Sequence, residues 1–125
     1  VGSGERLLVV DDEGAICRVL AKLLRLKGYT VETATGGLEG LVCLRTFHPD
    51  LVLVDVSMPG MSGAEFIARA RRLRDGLRFV VMTGSEPDSK LLAAARAEAH
   101  IGKPVDFDVL SRTLERLLPR AAQSA

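Results

Sequence analysis

The segment from Leu51 to Gly63, LVLVDVSMPGMSG, constrains the fold of this chain more than any other. Four apolar residues lead directly into Asp55, and the turn-forming sequence MPG follows shortly afterwards. A short apolar run that ends in an acid and then a turn is typical of a parallel strand buried on both faces. In an open sheet of parallel strands, ligands bind at the carboxyl ends of the strands. Asp55 is therefore the first candidate for a functional residue.

Other segments of the chain repeat this unit of a strand followed by a helix. Short runs rich in apolar and β-branched residues, each bounded by acids, glycine or proline, predict five strands. Those strands are predicted at Arg6–Val10, Thr30–Ala34, Leu51–Val54, Arg78–Met82 and His100–Gly102.

Apolar residues recur at the three- and four-residue spacing of helices after each predicted strand. The second helix is predicted to end near His48–Pro49, and Gly40 inside it suggests close packing against a neighbour. The fourth helix is predicted from Leu91 to about Ala97, and Asp106 is predicted to cap the last one. The main apolar positions are Ile16, Val19, Leu20, Leu23 and Leu24 in the first helix, Leu38, Leu41 and Leu44 in the second, Phe66, Ile67, Ala70 and Leu73 in the third, and Phe107, Leu110, Leu114 and Leu117 in the last.

This alternation predicts one α/β domain with a five-stranded parallel sheet and helices on both faces. The expected fold is doubly wound and flavodoxin-like, with strand order 2-1-3-4-5. The domain is predicted at residues 5–119, with residues 1–4 as a linker or tag and residues 120–125 as a tail. A chain of 125 residues that is 47% hydrophobic is suited to a single compact core.

Charge and hydropathy argue against direct binding to nucleic acid or membrane. The formal net charge is +1, and no apolar run approaches the roughly 20 residues that a membrane span needs. We therefore expect a soluble, cytoplasmic protein. Cys17 and Cys43 are predicted to be free, buried thiols inside helices. Four arginines are interpreted as the solvated face of the third helix, because no aromatic residues are interleaved with them: Arg69, Arg71, Arg72 and Arg74.

The predicted sheet brings polar residues from several strands to one edge. Asp11 and Asp12 follow the first strand, Asp55 follows the third, Thr83 the fourth and Lys103 the fifth. Three carboxylates in a small space repel one another unless a cation lies among them, and oxygen ligands suit Mg²⁺. Lys103 and Thr83 offer a positive charge and a hydroxyl group to phosphoryl oxygens. This set of residues predicts phosphoryl transfer to Asp55 with the help of Mg²⁺.

Each of these residues also has a plainer interpretation. Asp11 and Asp12 can serve only as a cap for the first helix, Thr83 as a β-branched strand residue, and Lys103 as a solvated lysine. Their joint occurrence at the ends of neighbouring strands favours the functional interpretation.

Four motifs together resemble the receiver domain of bacterial two-component response regulators. No single motif is specific for this family, but the order and spacing of all four over roughly Glu5 to Leu118 are highly specific. The motifs are LVVDDE at Leu8–Glu13, DVSMPGMSG at Asp55–Gly63, MTG at Met82–Gly84 and KP at Lys103–Pro104.

The resemblance implies a phospho-accepting signalling switch. Asp55 would take a phosphoryl group from the phosphohistidine of a sensor histidine kinase or a histidine phosphotransfer protein. Asp11 and Asp12 would hold Mg²⁺ together with Asp55 and the backbone carbonyl of Ser57. Thr83 would move toward the phosphoryl group.

The resemblance also implies how the switch is read. Lys103 would pair with the phosphoryl group, and its bond to Pro104 would be cis. The surface of the fourth helix, fifth strand and fifth helix would then change its affinity for a downstream target or a fused output domain, as a monomer or a phosphorylation-dependent homodimer. His100 stands where the family usually has Tyr or Phe, so it is either the switch residue or a structural one. Arg96 stands where a glycine often ends the fourth helix.

Two other classes of function stay open at this point. One is an interaction module that has lost phosphorylation, although the complete acidic set argues against it. The other is a phosphatase similar to the haloacid dehalogenases, which normally carry a second aspartate where this chain has Ser57. A receiver is not an enzyme beyond its own phosphorylation and dephosphorylation, and it can stand alone, be cut from a longer regulator or belong to a hybrid histidine kinase.

Overall fold

The computed structural model describes residues 4–84, 93 and 95–118. Its strands are β1 (Arg6–Val10), β2 (Thr30–Ala34), β3 (Leu51–Asp55), β4 (Arg78–Thr83) and β5 (Ala99–Gly102). Its helices are α1 (Gly14–Leu26), α2 (Gly37–Cys43), α3 (Gly63–Leu73) and α4 (Phe107–Leu117). No helix in this part of the chain is long and apolar enough to span a membrane.

The predicted helix from Leu91 to about Ala97 falls partly outside the described residues. Residues 91, 92 and 94 lie outside them, whereas Ala93 and Ala95 are helical. The chain leaves the helix at Arg96, one residue before the predicted end.

The strands form one parallel sheet in the order β2-β1-β3-β4-β5, which confirms the predicted topology. β1 and β3 are neighbouring strands in the interior of the sheet. Their parallel register begins with Leu7 opposite Leu51 and ends with Val10 opposite Val54. At the other end of the register, Asp55 stands opposite Met82 and Thr83 opposite Gly102. The carboxyl ends of all five strands therefore meet at one edge.

Alternate residues of the strands point to the two faces of the sheet, so the domain has two cores. Leu7 and Val9 of β1 pack in a cluster with the buried side chains of α1 and α4. Leu8 and Val10 pack in a second cluster with Phe66 and the other buried residues of α3, and with residues of and just after α2. The prediction of helices on both faces is confirmed, and each face buries an aliphatic layer that stabilises the sheet.

Gly40 lies where α2 crosses its neighbours closely, as its presence inside a helix suggested. A Cβ atom at this position would lie 2.8 Å from the Phe66 ring and 3.2 Å from the Val10 side chain. A larger side chain would separate α2 from α3 and from the sheet.

The predicted end of α2 was wrong. The helix stops at Cys43 instead of near His48–Pro49, and the chain continues as turns in which the Phe47 N–H donates to the Cys43 carbonyl. The Leu44 carbonyl accepts a hydrogen bond from Arg74. Because the Arg74 side chain donates a hydrogen bond to this carbonyl, a further helical turn is not needed to provide a donor for it.

Several side-chain assignments on the helices were also wrong. Val19 and Leu38 are 58% and 68% exposed, although their spacing placed them on the buried faces. Cys17 is buried as predicted, but Cys43 is only half-buried. Arg71 is not simply solvated, because its guanidinium group donates to the backbone carbonyls of Ala95 and Arg96.

Candidate functional site

Three carboxylates cluster at the carboxyl edge of the sheet. Asp11 follows β1 directly, and Asp55 is the last residue of the neighbouring β3. One carboxylate oxygen from each of Asp11, Asp12 and Asp55 lies within 4.8 Å of the others. Asp11 and Asp55 are buried, whereas Asp12 is exposed. The cluster is thus open to solvent on the side of Asp12.

Backbone N–H groups fix the two buried carboxylates. Oδ1 of Asp11 accepts a hydrogen bond of 2.9 Å from the Glu13 N–H, and Oδ1 of Asp55 accepts one of 3.0 Å from the Ser57 N–H. In both cases the side chain bonds the backbone two residues ahead, which is the usual geometry of an aspartate at a turn. The turn after each strand therefore sets the direction of its carboxylate.

Lys103 enters the same space from the turn after β5. Its Nζ lies 2.8 Å from Oδ2 of Asp11 and 3.1 Å from Oδ2 of Asp55. Burial acts to lower the pKa of Lys103, but its hydrogen bonds and charge interactions with Asp11 and Asp55 are stronger and raise the pKa above its ordinary value. Lys103 therefore stays charged and faces both buried acids.

The pKa of the Asp55 carboxyl group is raised. Burial is the largest cause, and the negative charge of Asp11 adds to it. The hydrogen bond from the Ser57 N–H and the ammonium group of Lys103 act in the opposite direction. Asp55 is thus a desolvated carboxylate whose charge depends on nearby donors.

The residues of this site fit a hard divalent cation. Oδ2 of Asp11 is buried and faces the ammonium group of Lys103 at 2.8 Å. Three carboxylates beside a single lysine leave an excess of negative charge, and all of the ligand atoms that the three acids offer are oxygen. Oxygen ligands with an exposed side for water are what Mg²⁺ prefers.

The other predicted site residues lie around this cluster. Thr83 is buried at the end of β4, and its carbonyl accepts a hydrogen bond of 2.7 Å from the Lys103 N–H. Ser57 is exposed beside Asp55. The peptide bond between Lys103 and Pro104 is cis. His100 is exposed on β5 opposite Val81, in the strand that leads to Lys103.

Two residues at the site had no predicted role. The Glu13 carboxylate lies 3.7 Å from Nζ of Lys103. Gly63 packs so closely under the phosphoacceptor candidate that a Cβ atom would lie 2.5 Å from the Asp55 carbonyl oxygen and 2.7 Å from Cα of Val56. A weak signal exists for both, since Glu13 follows the acidic pair directly and Gly63 closes the turn after β3.

A parallel sheet in this strand order, with an acidic cluster facing a lysine at its carboxyl edge, defines a CheY-like α/β domain. A family model described as the response regulator receiver domain matches residues 7–115. The chain therefore belongs to the response regulator receiver domains of two-component signalling.

Two relatives differ in how much of their own length this chain covers. It is 34% identical to sporulation initiation phosphotransferase F of Bacillus subtilis over 120 residues, covering 92% of this chain and 94% of the relative. It is 35% identical to response regulator MprA of Mycobacterium ulcerans over 117 residues, covering 92% of this chain but 50% of the relative. The chain thus spans nearly all of the first relative and half of the second.

Solved structures share the fold closely. A CheY-like response regulator receiver domain protein from Methanospirillum hungatei is 36% identical, with a TM-score of 0.81 and coverage of 92% of this chain and 94% of that chain. The response regulator TrrA of Thermotoga maritima, solved in complex with Mg²⁺ and BeF, is 35% identical, with a TM-score of 0.81 and coverage of 91% and 99%.

Proposed function

We propose that this domain is a phospho-accepting switch in which Asp55 takes a phosphoryl group from the phosphohistidine of a sensor histidine kinase or a histidine phosphotransfer protein. The observation that carries the proposal is the contact of Lys103 with both Asp55 and Asp11 at the carboxyl edge of the sheet. A phosphoryl group brings negative charge to the site, and that charge must be neutralised during transfer. The lysine beside Asp55, and a cation held by the neighbouring carboxylates, are suited to this task.

In the proposed reaction, the Asp55 carboxylate attacks the phosphorus atom of phosphohistidine. A bond forms between a carboxylate oxygen and phosphorus, the bond between phosphorus and the imidazole nitrogen breaks, and the imidazole keeps the electron pair. The Ser57 N–H orients the carboxylate through Oδ1. The ammonium group of Lys103 neutralises charge on the oxygens that arrive.

Mg²⁺ is the cofactor that we propose for this site. Asp11, Asp12 and Asp55, with the backbone carbonyl of Ser57, would hold it. When bound, the ion neutralises charge on the phosphoryl oxygens. The fit rests on the buried Asp11 oxygen and on the all-oxygen ligand set.

Phosphorylation at Asp55 would shift the population between two conformations of the domain. Thr83 ends β4, which lies between β3 and β5 in the sheet. Its carbonyl accepts a hydrogen bond from the Lys103 N–H, so a movement of Thr83 would be passed on to the end of β5. His100 and the exposed face beside β5 would then present a changed surface to a downstream protein or a fused output domain. The signalling unit would be residues 5–119, acting as a monomer or as a phosphorylation-dependent homodimer.

Mass spectrometry of the intact protein tests the proposal. After incubation with acetyl phosphate and Mg²⁺, we expect a mass gain of one phosphoryl group that is lost without Mg²⁺. Asp55→Asn should abolish the gain, whereas Asp75→Asn, at an exposed turn away from the site, should retain it. Full labelling of Asp55→Asn would refute the assignment of the nucleophile. No labelling together with no Mg²⁺ binding would favour an interaction module that works without phosphorylation.

A further inference from the structure

Lys103 has a third carboxylate within reach. In addition to Asp11 and Asp55, Oε1 of Glu13 lies 3.7 Å from its ammonium nitrogen. The three acids differ in exposure: the side chain of Asp11 is fully buried and that of Asp55 is 8% exposed, whereas that of Glu13 is 62% exposed. Glu13 therefore stands at the rim of the site, while the two aspartates form its floor.

The backbone of Glu13 is fixed although its side chain is exposed. Its N–H donates to Oδ1 of Asp11, and its carbonyl accepts from the N–H groups of Ile16 and Cys17 at the start of α1. The carboxylate is thus attached to a rigid point beside the aspartates. It also lies at the amino end of α1, where the helix dipole favours a negative charge.

A divalent ion and Lys103 draw on the same two buried carboxylates. If Asp11 and Asp55 share their charge with the ion, the ammonium group loses much of its neutralisation. The Lys103 side chain is only 18% exposed, so an uncompensated charge at this position is costly. Glu13 is the acid near Lys103 that is not in the cluster of metal-ligand candidates.

We propose that Glu13 is a positioning residue for Lys103, holding its ammonium group at the rim of the site when Asp11 and Asp55 bind the divalent ion. This inference rests on the proposed function and deepens it. By holding the ammonium group of Lys103 close to Asp55, Glu13 lets the ion and the lysine act together on the incoming phosphoryl oxygens. Its side chain contacts neither the ion nor the phosphoryl group.

Calorimetric titration with Mg²⁺ of four proteins tests this role: the wild type, Glu13→Gln, Lys103→Met and the double variant. We expect Glu13→Gln to weaken Mg²⁺ binding by about two- to fivefold when Lys103 is present. In the Lys103→Met background the same change should have a clearly smaller effect, because there is no ammonium group to hold. Glu115→Gln, which removes the same charge from an exposed position near the end of α4, should leave binding unchanged.

The outcomes separate this inference from the proposed function. Equal weakening by Glu13→Gln in both backgrounds would mean that Glu13 acts only as a nearby charge, and this would overturn the inference. Tighter Mg²⁺ binding in Glu13→Gln would also overturn it, because Glu13 would then hold Lys103 in the metal-free arrangement. Wild-type protein that binds Mg²⁺ and gains a phosphoryl group without such coupling refutes only the role of Glu13. Wild-type protein that does neither refutes both.

Discussion

Arg96 adopts a left-handed backbone conformation, with φ at +51°, directly after the helical residue Ala95. Glycine adopts this conformation without a steric penalty, whereas a residue with a Cβ atom is strained by about 1 kcal/mol. The role of Arg96 in the structure is carried by its backbone, since its carbonyl accepts a hydrogen bond from Arg71. The side chain is exposed. A residue that ends a helix in this way is under strain that a single substitution can relieve.

Arg96→Gly should therefore stabilise the domain. We expect the free energy of unfolding to rise by about 0.5 kcal/mol, measured by urea denaturation, because relief of the left-handed strain exceeds the extra entropy of glycine in the unfolded chain. Arg96→Ala is the matched control, since it removes the same side chain but keeps the Cβ atom. An equal gain in both variants would show that the charge of Arg96, and not its backbone, is responsible.

At the scale of elements, side chains from α3 and the turn after it join segments that are distant in sequence. Arg71 donates to the carbonyls of Ala95 and Arg96 at 2.8 and 2.6 Å, and its guanidinium group lies over the ring of Phe79 in β4. Hydrogen bonds from a charged donor to helix-end carbonyls are among the stronger ones in proteins. Arg71 thus anchors the end of the helical residues before β5 to α3.

Arg71→Ala should destabilise the domain by about 1–2 kcal/mol, because two backbone carbonyls lose their donor. Urea denaturation measures the change. The neighbouring Arg72 is exposed and serves as the control: Arg72→Ala should stay within about 0.5 kcal/mol of the wild type. Similar losses in both variants would point to a general effect of removing arginine from α3.

The strands were predicted to within one residue at each end, and the helices less well. Strands buried on both faces carry short apolar runs with sharp polar ends, so their limits are visible in the sequence. The end of α2 depends on contacts with distant residues, such as the hydrogen bond from Arg74 to the Leu44 carbonyl, which spacing alone does not reveal. Val19 was wrongly predicted to be buried because the apolar stripe of α1 is wider than the face that packs on the sheet. Apolar residues at the edge of such a stripe stay exposed.

The gathering of Asp11, Asp12, Asp55 and Lys103 followed from the sequence, because parallel strands bring their carboxyl ends to one edge. The ion-pair and hydrogen-bond partners of each charged group could not be predicted from the sequence. Which acid faces Lys103, and at what distance, depends on side-chain directions set by turns such as the one that joins Asp55 to the Ser57 N–H. Glu13 was missed for this reason, since a position next to an acidic pair does not show where its side chain points.

At the scale of the whole molecule, the buried thiol of Cys17 links stability to pH. Burial is the main cause that raises its pKa from 9.0 to about 11, and the negative charge of Asp11 adds to it. The unfolded chain therefore releases this proton at a lower pH than the folded domain. The stabilisation is fully present below about pH 9 and is lost as the pH rises toward 11, by about 2–3 kcal/mol in total.

Between about pH 8 and about pH 10, the wild type should lose about 1 kcal/mol of unfolding free energy that Cys17→Ser does not lose. Serine keeps a donor for the Asp11 carbonyl but does not titrate in this range. Urea denaturation at a series of pH values measures the difference. Cys43→Ser, at the half-buried thiol, should keep most of the wild-type dependence of unfolding free energy on pH. If that variant instead showed no such dependence, Cys43 and not Cys17 would be its cause.

From the position of each strand in the sheet, we expect the two halves of the site to differ in their rates of amide hydrogen exchange. Asp11 and Asp55 are carried by β1 and β3, which have strand neighbours on both sides, whereas Lys103 follows β5 at the outer edge. Interior strands exchange their amide hydrogens only when the whole domain opens, and edge strands open locally at a lower free energy. A brief detachment of β5 would therefore withdraw Lys103 while the two aspartates keep their spacing.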